Sequence, residues 1–121
     1  MITDAELYNN LITACVRNEA RAQQQLYSLF APAMFKVCLR YANDHSSAQD
    51  IFQDAFVKVF QNLHKIKQAS HLPGWVKRVF VYTAIDHIRA QNKYRQHIEI
   101  DNAIQVESNL PHIESELAVA D

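Results

Sequence analysis

LPGWVKRVFVYTAIDHIRAQNKYR, residues 72–95, is the longest stretch of the chain with a helical period. Pro73 stands where the first turn of a helix tolerates a residue lacking an N–H, and Gly74 is the only glycine of the protein. Leu72, Trp75, Val76, Val79, Phe80 and Thr83 recur at three- and four-residue spacing and so share one face. Arg78, Tyr82, Ile85, Arg89 and Lys93 recur on another. The first face suits burial against a core. The second interleaves cations with an aromatic ring, an arrangement that suits a nucleic-acid strand, because cations neutralise phosphates and rings stack on bases. A solvated helix face with one exposed tyrosine accounts for the same residues, so this helix by itself leaves both readings open.

Working outward, 121 residues make one domain with room for a single hydrophobic core. One glycine and three prolines leave almost no turn chemistry for a β-protein. The expected fold is all-α, a compact bundle of about four helices with a long basic helix toward its C-terminal side and an acidic tail. No apolar run approaches the roughly 20 residues needed to span a bilayer. The opening MITDAEL lacks the basic start and apolar stretch of a signal peptide. Cys15 and Cys38 lie inside helical patterns without metal-ligand spacing. These features predict a cytoplasmic protein with free thiols and no membrane association.

The formal net charge of −1 averages over two opposed segments. From Lys58 to Arg95 eight cations (Lys58, Lys65, Lys67, Lys77, Arg78, Arg89, Lys93, Arg95) face Asp86 alone. From Gln96 onward there are six acids (Glu99, Asp101, Glu107, Glu114, Glu116, Asp121) and no Lys or Arg. The middle suits a polyanion that the tail would repel.

Upstream, Thr3 and Glu6 read as a capping box opening a first helix that Arg17-Asn18 ends near Val16. A second helix is expected from about Glu19 to Tyr41, with Leu26, Leu29, Phe30, Ala33, Val37 and Tyr41 in one stripe. Phe35, Cys38 and Leu39 point elsewhere, so this helix reads as the buried centre of the bundle, kinked or locally loosened at Pro32. Ser46 and Gln49 suggest a second capping box and a third helix to about Leu63. Its inner side holds Ile51, Phe52, Ala55, Phe56, Val59 and Leu63; its outer side holds Asp50, Gln53, Asp54, Val57 and Gln61. Lys58 is the one cation placed to relieve Asp54. The outer side is either a solubilising face or a docking face for a basic partner. Val57 favours the second, since solvation alone has no use for it. Asn62 to His71 lacks a convincing period and reads as a loop carrying Lys65 and Lys67. After Arg95 the pattern fails, leaving a linker or loosely docked tail over residues 96–121 with one short helical pattern near Ile113–Ala120.

Enzyme chemistry finds little support. The six histidines form no His-Glu-x-x-His and no Glu-x-x-His, and there is no Cys-x-x-Cys. One glycine cannot build a phosphate loop. We expect no metal, no cofactor and no catalysis.

Taken together, DIFQDAFVKVF at 50–60, the polar loop, GWVKRVF at 74–80 and AIDHIR at 84–89 resemble domain 2 of bacterial RNA polymerase sigma factors, closest to the extracytoplasmic-function group. The resemblance covers about Ala20 to Arg95, including Tyr27 to Asn43 with its internal Ala-Pro. It implies that the third helix docks on the clamp helices of the largest subunit of core RNA polymerase, with Asp50, Gln53 and Asp54 matching that motif and Val57 beside them. It also implies that the loop and following helix bind the minus-ten promoter element and trap a base flipped from the non-template strand. Lys65, Lys67 and Ser70 match the loop; Trp75, Lys77, Arg78, Tyr82 and Arg89 match the helix, whose cationic face continues to Lys93. An anti-sigma factor is a further candidate partner. Two departures stand out. Many family members carry asparagine where this chain has Tyr82, so base preference does not transfer. Nothing corresponds to the family's second, helix-turn-helix domain, so residues 1–95 read as the sigma domain, 96–121 as an acidic linker, and the whole as part of a longer protein. A dimeric regulator of duplex DNA, and a helical module gripping a partner helix at exposed Val81 and Ile85, are the rival readings.

Overall fold

The computed structural model describes the backbone of residues 2–101 and the side chains of residues 2–94. Four helices follow in order, α1 (Asp4–Val16), α2 (Ala20–Tyr41), α3 (His45–Asn62) and α4 (Leu72–Asp101), and no strand occurs among the described residues. The all-α bundle expected from the periodicity is the fold observed.

Local chemistry sets the boundaries. Thr3 caps α1, its Oγ1 accepting from the Glu6 N–H at 3.1 Å while its hydroxyl lies 3.2 Å from the Glu6 carboxylate. The α1–α2 turn rests on Asn18, which adopts φ 63°, a left-handed conformation that asparagine accepts more readily than most residues. Bonds from the Asn18 and Glu19 N–H groups to Cys15 and Ala14 then satisfy the last carbonyls of α1. The start of α3 differs from expectation. Asp44, not Ser46, is the cap: its Oδ1 accepts from the Ser47 N–H at 2.7 Å, and the helix begins at His45, two residues before a Ser46 cap would start it. The same bond, chiefly, holds the Asp44 carboxyl below its ordinary range.

The second helix also corrects the reading of its faces. It buries Ala22, Leu26, Phe30, Met34, Val37 and Cys38, whereas Leu29 and Ala33 face solvent and Tyr41 is half-buried. Burial advances in steps of four, so the stripe drifts around the helix and leaves behind the Leu29–Ala33 edge. Tyr27, Leu29 and Leu39 are all exposed, so α2 is not buried on most sides. Pro32 sits inside α2 without ending it. On α3 the expected inner side holds, with Ile51, Ala55, Phe56, Val59 and Leu63 buried and Phe52 packed against them.

Helix α4 packs its Leu72–Val76–Phe80–Ala84 stripe into the core against α2 and α3. Phe80 meets Phe56 edge-on at 4.9 Å between ring centres, and Phe52 bridges Phe56 and Phe35. Thr83 is the one buried polar residue among those described, and its hydroxyl donates to the Val79 carbonyl at 2.7 Å. The helix runs to Asp101, past the Arg95 end expected from the pattern, because no glycine or proline intervenes to stop it. It therefore crosses the boundary placed between residues 95 and 96. The short helical pattern near Ile113–Ala120 lies outside the described residues. Helix α1 packs on α2 and also covers both short turns that join α3 to α4, so the element that showed no chemistry in the sequence braces the segment that does.

Candidate docking face and nucleic-acid interface

Two groups of polar residues stand on this scaffold. The first is the outer side of α3, where Asp50 and Gln53 are exposed and Val57 is 53% exposed. Asp54 is only half-exposed. Its Oδ2 lies 3.6 Å from Lys58 Nζ, as the i, i+4 spacing suggests, and 3.0 Å from His87 Nε2 on α4. The histidine contact was not legible in the sequence, because it joins two helices across 33 residues. His87 extends the Val76–Phe80–Ala84 stripe by one more turn, which is the signal that places it beside α3.

The second group surrounds a cleft of about 540 Å³ at the N-terminal end of α4. Its walls bring together Lys65, Lys67, Ser70, Trp75 and Arg78, five of the residues singled out for DNA, with Ile66, Gln68, His71 and Gly74 completing the lining. Among the described residues no carboxylate lines it. The loop that builds it is more ordered than its sequence suggests. Leu63–Lys65 and Ala69–His71 are single 3-10 turns, closed by N–H bonds from Ile66 to Leu63 at 3.2 Å and from His71 to Gln68 at 3.0 Å. Leu63 and Leu72 are buried and Ile66 and Ala69 half-buried, so the loop is pinned every three residues while its polar residues stay outside. That three-residue recurrence is the 3-10 period, which falls between the 3.6 of an α-helix and the 2 of a strand and so shows as neither in the sequence.

The chemistry of the cleft follows from its position. It opens at the first turn of α4, where the helix dipole favours negative charge although the Leu72 N–H is bonded to the Ala69 carbonyl and Pro73 has none to offer. Lys65, Lys67 and Arg78 add full charges. The indole of Trp75 is half-buried, one part packed on the core and another forming a wall of the cleft. A methyl group built on Gly74 would meet nothing within 4 Å, so the chain itself does not require glycine there. A volume near 540 Å³ lies in the range of small-ligand pockets, about 300–1,000 Å³. The arrangement can hold an aromatic group against an aromatic wall with an anion beside it.

Lys77, Tyr82, Arg89 and Lys93 do not line the cleft. Lys77 and Lys93 are exposed, Tyr82 and Arg89 half-buried. At 1.5 Å per residue Lys93 lies about 22 Å along α4 from Arg78, so Tyr82, Arg89 and Lys93, which follow Arg78 on one face, form a track leading from the cleft, whereas Lys77 stands about 100° round the helix. Val81 is half-buried and packed on the core, and Ile85 is half-buried as well, which removes the exposed apolar pair on which a partner-helix module would depend.

Among the described residues no three His, Cys, Asp or Glu side chains gather as a metal site. Burial pushes the Cys38 thiol up to about 11 and raises Cys15 too, so both stay protonated at neutral pH. No helix among the described residues is long and apolar enough to cross a membrane.

A family model described as Sigma-70 region 2 matches residues 26–94, more than half of the 121-residue chain. The RNA polymerase sigma-H factor of Pseudomonas aeruginosa is 26% identical over 83 residues, covering 69% of this chain and 43% of that protein. The RNA polymerase sigma factor SigV of Bacillus subtilis is 26% identical over 61 residues, covering 50% of this chain and 37% of that protein. The chain thus spans less than half the length of both curated relatives. No solved structure matches it.

Proposed function

The chain belongs to the sigma-70 region 2 family, and from that membership we propose that it acts within a sigma factor of the extracytoplasmic-function group. In this reading the outer side of α3, with Asp50, Gln53, Asp54 and Val57, docks on the clamp helices of the largest subunit of core RNA polymerase. The cleft and the track along α4 engage the non-template strand of the minus-ten promoter element. Residues 1–95 carry both tasks and the acidic 96–121 segment serves as a linker.

The observation that carries the reading is the gathering of Lys65, Lys67, Ser70, Trp75 and Arg78 around one cleft inside the span matched by the family. No bond is made or broken. Extruding a base from a duplex costs a few kcal/mol, while stacking it on an aromatic side chain returns about 1–3 kcal/mol. Phosphate contacts from Lys65, Lys67 and Arg78 supply the rest, so strand opening is driven by binding energy.

The test is permanganate reactivity of unpaired thymines in duplex fragments selected by the chain bound to core polymerase. Reactivity in the minus-ten region that Trp75→Ala abolishes, with core binding retained, supports the reading. Binding without any reactive thymine would leave only the docking half standing.

A further inference from the structure

Besides their packed aromatic rings, the proposed docking helix and the DNA-facing helix share a polar contact. His87 Nε2 lies 3.0 Å from Asp54 Oδ2, across 33 residues of sequence. An ionised carboxylate only accepts, so the imidazole N–H donates. Lys58 approaches the same oxygen at 3.6 Å, so both contacts converge on Oδ2. Asp50, one turn earlier on α3, shares with His87 the lining of a small cavity of about 40 Å³. The imidazole therefore contacts one acid of the proposed docking face and shares a cavity wall with the other.

Packing alone does not ask for a histidine here. His87 occupies the end of the α4 core stripe, where its side chain is 32% exposed and that of Asp54 is 43% exposed. An apolar residue would cover the same surface without placing a donor at the carboxylate. We propose that His87 is a positioning residue for polymerase docking: its bond to Oδ2 fixes the Asp54 side chain in the orientation a basic partner meets. An acid held in place before contact loses less rotamer freedom on binding, an advantage of roughly two- to tenfold in affinity per immobilised side chain. The bond also ties α3 to α4, so the docking acid and the DNA track keep one relative placement. This inference rests on the docking role proposed for α3.

Binding of the full chain to bacterial core RNA polymerase, measured for wild type, His87→Leu, His87→Gln, Asp54→Ala and the Asp54→Ala/His87→Leu pair, tests it, with thermal melts of each. The proposal expects His87→Leu to weaken binding roughly three- to tenfold with the melting temperature kept. Gln, whose amide N–H can still donate, restores near wild-type affinity. In the Asp54→Ala background His87→Leu adds nothing further. If Leu lowers the melting temperature, His87→Met takes its place as the variant without a donor. Unchanged or tighter binding by the donor-less variant overturns the proposal, as does a full His87 effect that persists without Asp54. Should Asp54→Ala leave binding intact, the docking role of α3 fails first, and that failure reads separately from any effect of His87.

Discussion

Replacing Lys65 and Lys67 together with alanine probes the cleft most quantitatively. Both are exposed, neither touches the core, and both line the cleft. Removing them therefore costs charge and little else. For a single strand, each phosphate contact contributes about 0.7 to the slope of log affinity against log salt. Losing two contacts should flatten the slope by about 1.4. The same relation makes each contact worth about fourfold in affinity at 0.15 M salt and about eightfold at 0.05 M. The double variant should thus bind roughly 15-fold more weakly at 0.15 M and roughly 65-fold more weakly at 0.05 M. The assay is fluorescence anisotropy of a sequence-randomised single-stranded oligonucleotide, titrated at several salt concentrations, because the counterion term does not depend on sequence. Lys36→Ala/Arg40→Ala on α2 removes the same charge from residues outside the cleft and should leave the slope alone. An unchanged slope in the cleft variant, or an equal change in the α2 variant, would refute the assignment of the strand to this cleft.

Other residues give independent checks. Gly74→Ala should leave folding intact or raise stability by about 0.4–1 kcal/mol in urea denaturation, since its Cβ meets nothing. The same variant should weaken oligonucleotide binding if a base approaches the backbone there; equal binding would argue that the mouth of the cleft is not used. Phe80→Ala, at the centre of the aromatic cluster and fully buried, should cost about 3–5 kcal/mol by the same denaturation. A loss under 1 kcal/mol would contradict the packing. The Asp44 carboxyl is held below its ordinary range by the Ser47 N–H, so its stabilising effect is complete above the unfolded carboxyl's range and fades as pH falls through the folded value. Melting temperatures of wild type and Asp44→Ala should differ at pH 7 and converge in strong acid, and a gap independent of pH would show that the charge of the cap is not involved.

How much of this was legible in the residues depended on the range of the interaction. Helix α4 and the inner side of α3 could be read directly, because burial repeats along one element and imprints a period on it. Composition cannot separate an exposed leucine from a core one, so the α2 stripe expected through Leu29 and Ala33 runs instead through Ala22, Met34 and Cys38. Asp44 and Ser46 are equally good caps by residue type, since both satisfy the same kind of N–H group, and only backbone geometry chooses Asp44. In the candidate site, charge pointed to Lys65, Lys67 and Arg78, whereas Ser70 and Trp75 came only with the resemblance to sigma domain 2, and neither route shows that the five enclose a cleft. That depends on α1 bracing two 3-10 turns from behind. The His87–Asp54 bond was the least accessible, for it arises where two helices distant in sequence cross.

The most direct test of the central claim is binding of the purified chain to core RNA polymerase, wild type beside Asp50→Arg and Val57→Asp. These two positions are exposed, so the changes leave the bundle intact. Asp54 is less suited to reversal, because a cation there would face both Lys58 and His87. The account predicts saturable binding by the wild type that each substitution weakens at least tenfold, about 1.4 kcal/mol or more, without a change in melting temperature. Wild-type chain that fails to bind, or variants that bind as tightly as wild type, would contradict it.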